Sequence, residues 1–175
     1  MGAWGAMIMS FFGAVFAALT LYWQWHVSGL FLALPFVVFA AIATAALIVI
    51  GVPGDGIKPS ETVERTIMWS SIGEGVGLFL ASNIVINLHR PDLLLPSMAL
   101  VVGLHFLPIA YAASFGPFYI LGATLILSGL ASGVVSAPTA GVLAGFTAAC
   151  GLWIAAAMAV RRDWRLKQTL AIRPF

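Results

Sequence analysis

Six apolar runs, each of about 18–23 residues, occupy nearly all of this 175-residue chain, and each is long enough to cross roughly 30 Å of hydrocarbon. They extend from about Trp4 to Trp23, Gly29 to Gly51, Thr66 to Leu88, Leu93 to Ala112, Pro117 to Val135 and Pro138 to Val160. A segment inside a bilayer has no water to take up its backbone N–H and C=O groups, so it must be a helix or part of a closed barrel. These runs lack the apolar–polar alternation of barrel strands. Composition agrees: the chain is 62% hydrophobic and 8% charged, with mean hydropathy +1.07, whereas a soluble domain is roughly a quarter charged. The expected fold is all-α: a polytopic membrane protein built as a bundle of about six transmembrane helices. Residues 1–160 would form the transmembrane domain and residues 161–175 a basic cytoplasmic tail. Little chain is left for a separate soluble domain.

Charge sets the expected orientation. With both termini cytoplasmic, the inner side carries Lys58, Arg65, Arg161, Arg162, Arg165, Lys167 and Arg173, and the outer side only Arg90. A bacterial inner (plasma) membrane is the expected location. The tail (RRDWRLKQTLAIRPF) reads as a solvated topological anchor, with Trp164 placed to lie at an anionic lipid surface. Met1 to Trp4 carry no positive charge, so the first span is expected to act as its own insertion signal rather than as a cleaved leader. Val52 to Arg65 (VPGDGIKPSETVER) reads as a solvated loop, with Glu61 and Glu64 suited to a helix start. Cys150 is the single cysteine, which excludes an intrachain disulfide; in its apolar run it reads as a small packing residue. Trp4, Trp23, Trp25 and Trp69 fall near span ends as interfacial anchors.

One carboxylate stands apart. Glu74 lies deep in the third span (TIMWSSIGEGVGLFLASNIVINL), where an ionisable group is costly and is usually paired and functional. At 100° per residue it shares a face with Ser70, Ser71, Leu78, Ala81 and Ser82, while Asn83 and Asn87 point nearly the opposite way. Gly73, Gly75 and Gly77 offer close approach to a neighbouring helix or a ligand. The short turn His89–Arg90–Pro91–Asp92 forces the third and fourth spans into a hairpin, and the fourth span carries His105. Glu74 and His105 sit at nearly equal sequence distance from that turn, so each lies roughly 22–24 Å from it at 1.5 Å per residue. A carboxyl and an imidazole at one depth can share a proton. Pro108 frees the carbonyl of Leu104 and, with Gly103, is expected to kink the fourth span beside the imidazole.

Glu74 and His105 are therefore the candidate catalytic pair, with Ser70, Ser71, Ser82, Thr124 and Ser128 as candidate ligand-binding groups near the same level. Ser10, Thr44 and Cys150 lie within about two turns of that depth. Each hydroxyl has the alternative of bonding a carbonyl of its own helix, and the pair has the alternative of simply locking two helices together. No cofactor and no metal site is expected, because one Glu and one His are too few ligands. His26 and His89 read as surface histidines that could meet at an outer proton or metal site. No phosphate loop, dinucleotide fingerprint, HExxH, GxSxG or CxxC is present, which removes support for ATP-driven transport, zinc proteolysis and serine hydrolysis. Nothing points to nucleic acid.

Three functions fit these residues. The favoured one is a proton-linked transporter or channel for a small solute, with the bilayer as partner and a homo-oligomer enlarging the pore. The second is an intramembrane enzyme acting on a lipid-soluble, isoprenoid-like substrate, with Glu74 as general acid and Phe79, Phe106, Trp69 and Trp153 as candidate aromatic lining. In general plan this resembles the small integral-membrane terpene cyclases, with no motif in common. The third is a non-catalytic subunit of a membrane complex. A pocket opening to water favours a carrier, and one opening sideways to lipid favours an enzyme.

Overall fold

The structure is a computed structural model that describes residues 2–54 and 59–171. Six α-helices follow one another: α1 (Ala3–Trp25), α2 (Leu34–Gly51), α3 (Glu61–Asn87), α4 (Leu94–Ala113), α5 (Gly116–Leu130) and α6 (Thr139–Ala171). Short 3₁₀ turns, Gly29–Ala33, Pro91–Leu93 and Ala131–Gly133, lead into α2 and α4 and close α5. With the flanking 3₁₀ turns, all six are long and apolar enough to cross a membrane. The protein is an all-α, multi-pass integral membrane protein.

Local chemistry sets the helix ends. His26 and Ser114 adopt left-handed backbone (φ 52° and 47°) just past α1 and α4, and their N–H groups return to carbonyls of the last turn. Pro35 and Pro117 stand in the first turns of α2 and α5, where a missing N–H costs nothing. The Ser60 hydroxyl accepts from the Val63 N–H at 3.4 Å, so α3 starts at Glu61, five residues before the expected Thr66. Glu61, Glu64 and Arg65 thus belong to the helix and not to the loop; Asp55 to Lys58 lie outside the described residues, as does Arg173.

The chain runs up and down, so α1, α3 and α5 begin, and α2, α4 and α6 finish, at one end of the bundle. Arg65, Arg161, Arg162, Arg165 and Lys167 gather there, and it is called the basic end below; the opposite end carries the α3–α4 hairpin. Helices in lipid associate where small residues let backbones meet. Along the α1–α6 seam, Ala3, Ala6, Ala14 and Ala17 are buried with Ala148, Ala149, Ala155, Ala156 and Ala159. Gly13 on that seam admits Trp153, whose indole nitrogen would stand 2.7 Å from an added Cβ. In the α4–α5 seam a Cβ on Gly103 would lie 2.8 Å from the carbonyl oxygen of Gly122. Gly103 therefore serves helix contact. α4 runs as one α-helix from Leu94 to Ala113 with Pro108 inside it.

Two differences from expectation concern α6. It does not stop near Val160 but continues to Ala171, because residues 161–171 contain no glycine or proline and two of them find partners. Lys167, 5% exposed, donates from Nζ to the carbonyls of Val49 (2.7 Å), Ile50 (3.2 Å) and Val52 (2.8 Å). Asp163, 6% exposed, accepts from the backbone N–H of Ala3 at 2.9 Å. A cation thus closes the C-terminus of α2 and an anion the N-terminus of α1, both in the sense that helix dipoles favour. Asp163 and Lys167 thus clamp two helix ends, while Arg161, Arg162 and Arg165 of the tail stay exposed. Its Arg162 guanidinium lies 4.7 Å from the ring centre of Phe115.

Candidate functional site

Glu74 occupies the midpoint of the 27-residue α3. Only 6% of that helix's most apolar window is buried, against 44% for α1 and α4, because α3 packs chiefly on α4. Gly77 fixes that contact, since a Cβ there would stand 2.9 Å from Cγ1 of Val101. Gly73 and Gly75 meet no neighbour, so of the three glycines only Gly77 serves helix approach.

Across this seam His105 Nδ1 lies 3.5 Å from Glu74 Oε2, with 8% and 18% of the two side chains exposed. Nδ1 makes no hydrogen bond among the described residues, Glu74 included. A buried polar nitrogen without a partner is costly, and a ligand's polar atom or a closer approach of the Glu74 carboxyl would satisfy it. The pair opens into a cavity of about 360 Å³. Its walls are Gly5, Ile8, Met9 and Phe12 of α1; Ile67, Ser71, Gly75 and Leu78 of α3; Val102 and Phe106 of α4; and Leu152 of α6. Apart from Glu74, His105 and the Ser71 hydroxyl, the lining side chains are apolar.

The cavity exists because α1 and α3 face each other without packing closely. Ile8 and Phe12, at its rim, are 62% and 41% exposed, and Ser71 and Gly75 opposite them are exposed too. Ile8 stands in the second turn of α1 and Ser71 and Gly75 near the middle of α3, so exposed residues of both helices line the cavity on the flank of the bundle. A second, more polar hollow of about 490 Å³ flanks the α3–α4 seam nearer the basic end, lined by Glu61, Thr62, Arg65, Thr66, Trp69, Ser70 and Pro108. Ser70 is one turn from Glu74 and Pro108 one turn from His105, so this hollow stops a single helical turn short of the pair.

The structure divides the candidate ligand-binding residues. Ser71 lines the Glu74 cavity, and Ser70 lines the neighbouring hollow. Ser82, two turns farther along α3, does not reach either. Thr124 stands on an apolar groove between α5 and α6 and donates its hydroxyl to the Ile120 carbonyl at 2.7 Å. Ser128 donates to the Leu125 carbonyl at 2.9 Å. Both are separated from Glu74 by helix pairing: α5 packs on α4 and α6, whereas α3 packs on α4 from another side. Asn83 and Asn87 donate to the carbonyls of Phe79 and Asn83 within α3. Cys150 is not an enclosed packing residue but an exposed one on the α5–α6 groove.

Of the four aromatics proposed as lining, Phe106 is in place. Trp69 lines the second hollow, Phe79 is exposed, and Trp153 donates its indole N–H to the Ser10 carbonyl at 3.1 Å. The α1 residues Ile8, Met9 and Phe12 carry no sequence signal that would seat them opposite Glu74. His26 and His89 are exposed and take left-handed backbone at turns, which histidine adopts more readily than most residues. No group of three or more metal-ligating side chains occurs among the described residues.

Comparison with protein-family models, with characterised proteins and with solved structures yields no match to this chain.

Proposed function

We propose that this chain admits a small, largely apolar molecule from the bilayer into the α1–α3–α4 cavity and exchanges protons with it through Glu74 and His105. In this reading it is an intramembrane enzyme of the isomerase or cyclase kind. The observation that carries the proposal is the exposed apolar lining beside the pair: Ile8 and Phe12 present hydrocarbon on the flank of a spanning helix, which suits a lipid-soluble molecule better than a water-soluble one. Glu74, as general acid, gives its proton to a carbon–carbon double bond. The faces of Phe12 and Phe106 stabilise the resulting cation. A proton lost from another carbon of the same molecule passes to His105 and then back to the Glu74 carboxylate, so the reaction consumes no co-reactant.

A second reading, proton-linked carriage, is supported by the polar hollow that ends one turn from the pair and by the sparse packing of α3. Both readings place the basic end in the cytoplasm, on the strength of Lys58, Arg65, Arg161, Arg162, Arg165, Lys167 and Arg173 against Arg90.

The test is mass spectrometry of lipophilic molecules extracted from protein purified in mild detergent. Wild type is expected to carry a compound that Glu74→Gln and His105→Gln hold at a different abundance or as a chromatographically distinct isomer, because the proton transfer that converts it is lost. Identical extracts from all three proteins would overturn the proposal. A wild-type extract without such a compound, together with proton uptake into vesicles that depends on Glu74, would replace it with the carrier.

A further inference from the structure

A groove of about 510 Å³ lies between α2 and α6 at the basic end, away from the Glu74 cavity. Its walls are apolar: Ala41, Ile42, Ala45, Ile48 and Val49 on α2, and Ala157 and Val160 on α6. Its rim is not. Arg161 and Trp164 stand there, and Arg165 follows one turn on at the margin of the same face. Arg161 and Arg165 are exposed, and neither guanidinium has a carboxylate or ring partner among the described residues. Their neighbours are already engaged: Arg162 lies over Phe115, Asp163 accepts from Ala3, and Lys167 closes the end of α2. No acidic side chain lines the groove.

We infer that this groove is a binding site for one anionic phospholipid, its acyl chain lying between α2 and α6 and its phosphate held by Arg161 and Arg165. From the rim at Trp164 and Ile48 to the floor at Ala157 and Ala41 each wall runs seven residues, or about 10 Å of helix. That depth seats the upper part of an acyl chain while the headgroup stays at the water boundary, where the Trp164 indole also belongs. Charge selects the lipid, because an unpaired arginine at a membrane surface favours an anionic headgroup over a zwitterionic one. The α5–α6 groove supplies a built-in contrast. It has a similar volume, about 530 Å³, but no charged residue on its lining, so it discriminates no headgroup.

The experiment titrates delipidated full-length protein in mild detergent with phosphatidylglycerol or phosphatidylcholine and counts bound lipid by native mass spectrometry. One phosphatidylglycerol is expected to be held in preference to phosphatidylcholine. Arg161→Gln should weaken it roughly fivefold, and Arg161→Gln with Arg165→Gln should weaken it further. Ala157→Trp, which fills the groove without touching the charges, should remove it; Ile120→Trp in the α5–α6 groove should not. Equal binding of the two lipids, or an Arg161→Gln variant that binds phosphatidylglycerol as wild type does, would overturn the inference.

Discussion

Glu74 and His105 meet because two antiparallel helices joined by a tight turn carry them to one depth, 3.5 Å apart across the seam. Their contact is a loose one, with His105 Nδ1 outside hydrogen-bond geometry. In the proposed function that looseness is what distinguishes the pair from a structural lock. A buried ion pair that holds helices together loses about 3–5 kcal/mol when one partner is removed. Here the expected coupling in a Glu74→Gln, His105→Gln double-mutant cycle is about 1 kcal/mol or less, measured by reversible unfolding in mixed micelles. A coupling near the larger figure would assign the pair to stability alone. The register of this pair was legible in the sequence because helical rise and a four-residue hairpin fix it. The hydroxyls were not legible in the same way. Depth alone does not say which helices touch, and Thr124 and Ser128 share a level with Glu74 while facing other seams.

At the scale of the helices, two of the seams rest on small residues and one end is held by charge. The six spans were legible from hydropathy, and their ends were shifted by local groups: the Ser60 cap lengthens α3, and Asp163 and Lys167 lengthen α6. The α6 extension was hidden because a basic tail reads as solvated until its partners are known. Lys167 donates to three carbonyls at the end of α2 while 5% exposed. Lys167→Met is therefore expected to cost roughly 1.5–3 kcal/mol, the worth of hydrogen bonds from a charged donor. Gln168→Met, on the exposed face beside it, should stay within about 0.5 kcal/mol. Equal stability of the two variants would remove the clamp from the account.

At the scale of the whole molecule, the well-packed helices α1, α4, α5 and α6 surround the core, while α3 lies against α4 and leaves a gap beside α1. That gap leaves a cavity beside a largely buried carboxyl, and no pattern in one sequence reports which two helices will fail to touch. The account's central claim is that Glu74 carries an exchangeable proton and is reached from lipid. Carbodiimides react with carboxyl groups that hold their proton, and a lipid-soluble and a water-soluble carbodiimide approach from different phases. With protein in lipid bilayers, peptide mapping should find the lipid-soluble reagent on Glu74 and the water-soluble one mainly on the exposed Glu61 and Glu64. Glu74 unmodified by the lipid-soluble reagent, under conditions where the surface glutamates react with the other, would contradict the account.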